Sequence, residues 1–217
     1  MKKLTFTLVI CITCFAAFAQ DDSTAYGKDI SHYVFKNFIQ GTVKQKLGPE
    51  ITTLLNYNTL TEEMIFDQEG NKLALGRLDN IDTVYVGGKI FFPVGNVFYE
   101  KATNTPIALY IHYKTNIIPP GKDIGYGSQT QTGSVSNARN MKGDNKFYNL
   151  TLPDDFKLRP ATTYWVKKED KYVELNSIKK VQALFPLKAA AIKEFAKANK
   201  ISFDNPDDVT KLIIFCN

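Results

Sequence analysis

Apolar and polar residues alternate along short runs from Val34 to Leu175, broken by turn-forming clusters. Side chains two apart share one face of a strand, so this period predicts half-buried β-strands rather than helices. Residues 41–46 and 51–57 flank Leu47-Gly48-Pro49, and 63–66 and 72–75 flank Gln68-Glu69-Gly70-Asn71. Residues 83–86 and 89–92 flank Gly87-Gly88, a pair suited to a tight hairpin turn. A strand over 97–101 is followed by Thr103-Asn104-Thr105-Pro106 and then by one long strand over 107–114. Strands separated by turns about every 8–12 residues argue for an antiparallel meander, not βαβ units.

After Pro119-Pro120-Gly121 the chain is rich in Gly, Ser, Thr, Asn and Gln up to Lys146. A polar loop of that length is uncommon in a compact domain and is usually functional or disordered. Strands resume at 147–152, and residues 163–168 and 171–175 read as a hairpin turning at Glu169-Asp170. Beyond Leu175 the period becomes helical. Asn176 or Ser177 can cap a short helix reaching Phe185, and Pro186 suits the start of the next. There Leu187, Ala191, Phe195 and Ala198 fall on one face, and Asn199 is a plausible stop. The last helix has Asn205 as cap, Pro206 in its first turn, and Asp207 and Asp208 at the positive end of the dipole. Val209, Leu212, Ile213 and Cys216 then form its apolar stripe. The expected fold is mainly β: an antiparallel meander forming a sandwich or partly open barrel, with a C-terminal helical segment.

The N-terminal pattern differs from all of this. Lys2 and Lys3 precede a nearly unbroken apolar run over 4–18, and Ala17-Phe18-Ala19 precedes the polar Gln20-Asp21-Asp22. That is the layout of a cleaved secretory signal peptide, and the run is short of the ~20 residues a membrane span needs. A lipid anchor at Cys14 is disfavoured, because Thr13 and Cys11 stand where lipidation wants a small and a Leu-like residue. The expected organisation is a signal peptide at 1–19, an N-terminal extension at 20–33, a β-rich domain at 34–175 with a long polar loop at 116–146, and a helical segment at 176–217. The expected location is the periplasm, or the outer membrane and exterior, with no transmembrane helix in the mature chain.

Removing the leader changes the rest of the account. Of the three cysteines, Cys11 and Cys14 leave with it, so Cys216 has no partner for an internal disulfide. Losing Lys2 and Lys3 takes the formal charge from +5 to +3. The remaining basic residues are scattered, without the one-sided stripe of a nucleic-acid binder.

Candidate chemistry is sparse. The two histidines are His32 and His112. On a strand, Tyr110, His112 and Lys114 share a face while Leu109, Ile111 and Tyr113 take the other, so His112 belongs either to a polar, aromatic binding face or to an ordinary half-exposed strand. One exported cysteine and no paired histidines argue against a zinc or other transition-metal site, and no cofactor motif is present. Gly125-Tyr126-Gly127-Ser128 lacks the Lys-Ser/Thr of a phosphate-binding loop. It reads as a mobile surface loop, or as a partner-contacting one with Tyr126, Gln129, Gln131 and Arg139 as contacts. Glycoside hydrolysis needs two carboxylates; Glu62-Glu63, Asp154-Asp155 and Asp207-Asp208 supply acids without showing which converge. Many of the aromatics lie in or beside the β region. Cross-strand pairing accounts for them, unless several share an exposed face and form a platform for sugars or a protein.

The stretch from Leu55 to Phe66, LNYNTLTEEMIF, followed by Gly70-Asn71-Lys72-Leu73-Ala74-Leu75, resembles one in uncharacterised exported proteins of Gram-negative bacteria. The tail resembles them too, at Tyr172-Val173, Phe185-Pro186, Ile192-Lys193 and Asp208-Val209. The resemblance implies export and assigns no activity or catalytic residue. The expected function is a non-enzymatic envelope module that binds a protein partner or a glycan through Tyr110, His112 and the loop residues. The alternative is a carboxylate-dependent hydrolase of envelope polysaccharide.

Overall fold

A computed structural model describes residues 32–118, 122–123, 129–130, 157–168 and 171–217. The alternating runs become strands β1 (Ile39–Gln45), β2 (Ile51–Asn58), β3 (Glu63–Gln68), β4 (Asn71–Ala74), β5 (Ile81–Val86), β6 (Lys89–Val94), β7 (Val97–Lys101) and β8 (Leu109–His112). They continue as β9 (Thr115–Ile118), β10 (Lys122–Asp123), β11 (Gln129–Thr130), β12 (Lys157–Pro160), β13 (Thr163–Lys168) and β14 (Lys171–Glu174). The helices are α1 (Ile178–Leu184), α2 (Ala189–Ala198) and α3 (Pro206–Cys216).

Ten strands form one antiparallel sheet in the order β14-β13-β8-β7-β6-β5-β1-β2-β3-β4, and it is not closed. The fold is thus mainly antiparallel β with a C-terminal helical segment, as the pattern predicts. Two-residue turns set the hairpin registers. Val86 pairs with Lys89 across Gly87-Gly88, both at positive φ, and Gln68 pairs with Asn71 across Glu69-Gly70, also both at positive φ. That is the backbone a two-residue hairpin of matching twist requires. A 3-10 turn at Leu78–Asn80 then brings β5 back beside β1.

One face of this sheet carries two apolar clusters. Val43, Leu55, Tyr57, Met64, Val84, Phe91 and Phe98 form the first, within the β1–β7 half. Leu109, Ile111, Tyr164 and Val166 of the other half are covered by Val181, Ile192, Val209, Leu212, Ile213 and Cys216 of the helices. Tyr113 packs against both clusters.

The helix boundaries follow the local signals. Ser177 caps α1, accepting from Lys180 N; Asn205 caps α3, accepting from Asp207 N; and Asn199 ends α2, its N–H bonding Phe195 O. Cys216 is buried, as a terminal-helix apolar residue would be, and burial pushes its thiol up to about 11.

Two expectations are corrected. The strand expected over 107–114 is shorter at both ends: β8 spans Leu109–His112, and the chain then leaves the sheet as β9 to pair with β12, Thr115 opposite Pro160. The cause lies far off in the chain. Thr115 N donates to Thr59 O at 2.9 Å and the two threonine hydroxyls bond at 2.8 Å, which draws the chain out of the sheet. In α2 the face of Leu187, Ala191, Phe195 and Ala198 packs only through Phe195, which is partly buried against the core; Ile192 and Ala196 are the buried residues. Within the expected loop at 116–146, β9 continues to Ile118 and β10 pairs with β11. The expected strand over 147–152 and the turn at Glu169-Asp170 lie outside the described residues.

Candidate binding site

Alternation sets the site. The buried face of β7 and β8 takes Phe98, Glu100, Leu109 and Ile111, so Tyr99, Tyr110 and His112 point the other way. Register extends this second face across four strands: Lys101 lies opposite Tyr110, Tyr110 opposite Trp165, and Trp165 opposite Glu174. One step along, Lys167 lies opposite Tyr172.

The rings converge. Tyr99 stacks on His112 with centroids 4.9 Å apart and meets Tyr172 edge-on at 5.4 Å and Trp165 at 6.1 Å. Tyr110 meets Tyr172 edge-on at 5.3 Å. These separations suit favourable aromatic pairs. Tyr99 is nearly buried, while Tyr110, His112, Trp165 and Tyr172 keep part of their surface open. The Trp165 indole N–H donates to Thr163 Oγ1 at 2.8 Å, which orients the ring. Burial pushes the Tyr99 hydroxyl up, with Tyr172, Glu62 and Glu174 adding to it. Burial does the same at Tyr172. Both phenols therefore stay protonated and able to donate.

Glu62 closes one side of the cluster. The β2–β3 turn reaches the end of β8, although five steps across the sheet separate β2 from β8. Asn58 Oδ1 shapes that turn by accepting from Leu60 N at 2.9 Å and Thr61 N at 3.2 Å. Glu62 sits in left-handed backbone at φ 58°. Its carboxylate lies 2.9 Å from His112 Nε2 and 3.3 Å from Lys114 Nζ. Burial raises the carboxyl, but the hydrogen bonds and charges of His112 and Lys114 outweigh this and hold it below its ordinary value.

A second polar cluster lies on the opposite face. Lys89 Nζ contacts both Glu100 oxygens at 2.9 Å, and Tyr113 donates to Glu100 Oε2 at 2.6 Å. Burial first, then the Glu100 charge and hydrogen bond, raise the Tyr113 hydroxyl far above its ordinary value. Fully engaged among core residues, this cluster pins strands together. A polar cleft of about 500 Å³ lined by Lys46, Arg77, Asp79 and Asn96, among others, contains no residue singled out from the sequence.

Of the sequence candidates, Tyr110 and His112 belong to one aromatic face. Tyr126, Gln131 and Arg139 lie outside the described residues, and Gln129 is described only as part of β11. Sequence reasoning missed Glu62 as the partner of His112, and Tyr99, Trp165 and Tyr172 as one group with Tyr110. For the aromatics a signal existed in the alternation of each strand, but not in which strands adjoin. For Glu62 none existed, since the pair is 50 residues apart. Among the acid pairs, Asp207 and Asp208 open α3 as expected, Asp208 also accepting from Ser202 N; Asp154 and Asp155 lie outside the described residues. No group of three or more His, Cys, Asp or Glu placed to hold a metal ion occurs among the described residues. Nor is any helix there long and apolar enough to cross a membrane.

No protein-family model, curated protein or solved structure matches the chain.

Proposed function

We propose that this chain is an exported cell-envelope protein that binds glycan through Tyr110, Trp165 and Tyr172, without turning its ligand over. One observation carries the reading: four aromatic rings from four strands converge on one sheet face, bordered by a fixed carboxylate–histidine–lysine group. Tyr and Trp combine an apolar ring face with a polar edge, which complements the C–H face and hydroxyls of a sugar. Export rests on the leader at 1–19, and the same leader disfavours a lipid anchor at Cys14. The hydrolase alternative has less support. A general acid needs a raised pKa, whereas Glu62 is held ionised by His112 and Lys114.

Trp165 is the only tryptophan, so its emission reports on the site directly. Titrating the mature protein with soluble peptidoglycan fragments, lipopolysaccharide and a neutral glucan should give a saturable emission change with at least one of them, and no release of reducing ends. Tyr110→Ala and Tyr172→Ala should each weaken it about tenfold, the scale of one lost stacking contact. A flat titration with all three polymers, or variants that bind as well as the parent, would refute the proposal. A protein captured through the same residues without any glycan response would replace the ligand class.

A further inference from the structure

The helical segment leaves large apolar side chains open to solvent. Leu187 is 101% exposed, Ile214 56% and Phe215 38%. Isolated exposed apolar residues are ordinary, but contiguous ones mark an interaction surface. Here a ring contact and a hydrogen bond link the two helices' exposed sides. Leu187, Ala191 and Phe195 follow one another at four-residue spacing along α2 and the turn before it, and Phe195 stacks on Phe215 of α3 with centroids 4.1 Å apart. The Lys188 ammonium bonds Cys216 O at 2.8 Å, tying the Leu187 turn to the end of α3. The core uses this stripe only through Phe195, which is partly buried against it; Ile192 and Ala196 fill the buried side of α2, and Leu187 and Ala191 stay exposed.

The surrounding charge specifies the partner. Lys188 adjoins Leu187, and Lys211 lies one helical turn before Ile214 and Phe215, 66% exposed. From 176 to 217 the chain carries seven lysines and four acids, and Glu194 is the one acid of α2. A protruding Leu with neighbouring Ile and Phe, set among lysines, matches a surface that is anionic outside and apolar just beneath. That is an anionic lipid bilayer, where apolar side chains insert at the headgroup boundary and lysines meet the phosphates. We propose that this face of α2 and α3 docks the protein peripherally on anionic membrane. The docking does not depend on the aromatic face.

Vesicle flotation tests it, comparing phosphatidylglycerol/phosphatidylethanolamine vesicles with phosphatidylcholine vesicles at low and high salt. The parent should float with the anionic vesicles only, and less at high salt. The double variant L187S/I214S should bind about tenfold less, and K211E should be weaker than the parent. These side chains are exposed, so both variants should keep the parent's circular dichroism and melting temperature. No flotation with anionic vesicles, equal flotation with neutral ones, or unchanged binding by L187S/I214S would overturn the proposal. So would a dimer in sedimentation that L187S/I214S abolishes and that floats with no vesicle, because a second copy would then cover the face.

Discussion

At the scale of single residues, Glu62 keeps its charge while 6% exposed because His112 and Lys114 both hydrogen-bond to it. Its carboxyl is depressed in the folded state. The unfolded chain therefore takes up the proton more readily, and acid favours unfolding. The stabilisation is complete above the ordinary carboxylate range and is lost as pH falls through the depressed folded value. Glu62→Gln should cost about 1–3 kcal/mol at neutral pH. The gap from the parent in urea unfolding should narrow as the pH is lowered below about 4. A gap that widened in acid would contradict the assignment. Tyr113→Phe removes a 2.6 Å hydrogen bond to a buried carboxylate and should cost roughly 1.5–3 kcal/mol. Cys216 is buried with a raised pKa, so it should resist a disulfide reagent in native buffer and react at once in denaturant; rapid native labelling would mean that the α3 end opens.

At the scale of elements, the β2–β3 unit does more than supply two strands. Asn56 donates to Phe35 O and Asn37 O and accepts from Phe35 N, binding the segment before β1 to the sheet. Asn58 shapes the turn, Thr59 bends the β8–β9 junction, and Glu62 reaches His112. Much of the polar character of LNYNTLTEE, unexpected in a strand pair, is thereby used in contacts. Two glycines set limits on packing. A Cβ on Gly41 would lie 2.6 Å from Tyr85 O, where β1 and β5 approach, and one on Gly87 would lie 2.5 Å from the Phe35 ring. Gly87 is also at φ 57°, where a side chain costs about 1–2 kcal/mol before any clash. Thermal unfolding should place Gly41→Ala and Gly87→Ala well below the parent. Ala at Gly70, also at positive φ but with open space around it, should show the backbone cost alone and so the smaller loss.

At the scale of the molecule, one sheet serves two cores. The β1–β7 half packs on itself, and the β8–β14 half depends on the helices to cover Leu109, Ile111, Tyr164 and Val166. Tyr113 touches both clusters, and strands β7 and β8 run from one to the other. Unfolding followed by Trp165 emission and by far-UV circular dichroism should therefore coincide in one transition. Truncation after Leu175 should abolish that transition and yield an aggregating chain, because it bares apolar strand faces. A truncated protein that still melted cooperatively would show the helices to be an appendage.

Local rules carried the elements. Two-residue periodicity, Gly-Gly and Glu-Gly turns and the Ser177 and Asn205 caps depend on neighbours a few residues away, so strands, hairpins and helix ends were readable from the chain alone. The face of β8 that holds Tyr110 and His112 was readable for the same reason. The rest depended on contacts far apart in sequence, for which the chain holds no local signal. Thr59, 56 residues from Thr115, ended β8 where the alternation continued. The strand order set Trp165 beside Tyr110, and the bend of the sheet brought Glu62 to His112. In α2, where two apolar stripes were available, packing against the other helices and strands selected Ile192 and Ala196. Leu187 was left on the outside, and Phe195 reaches the core only from its edge.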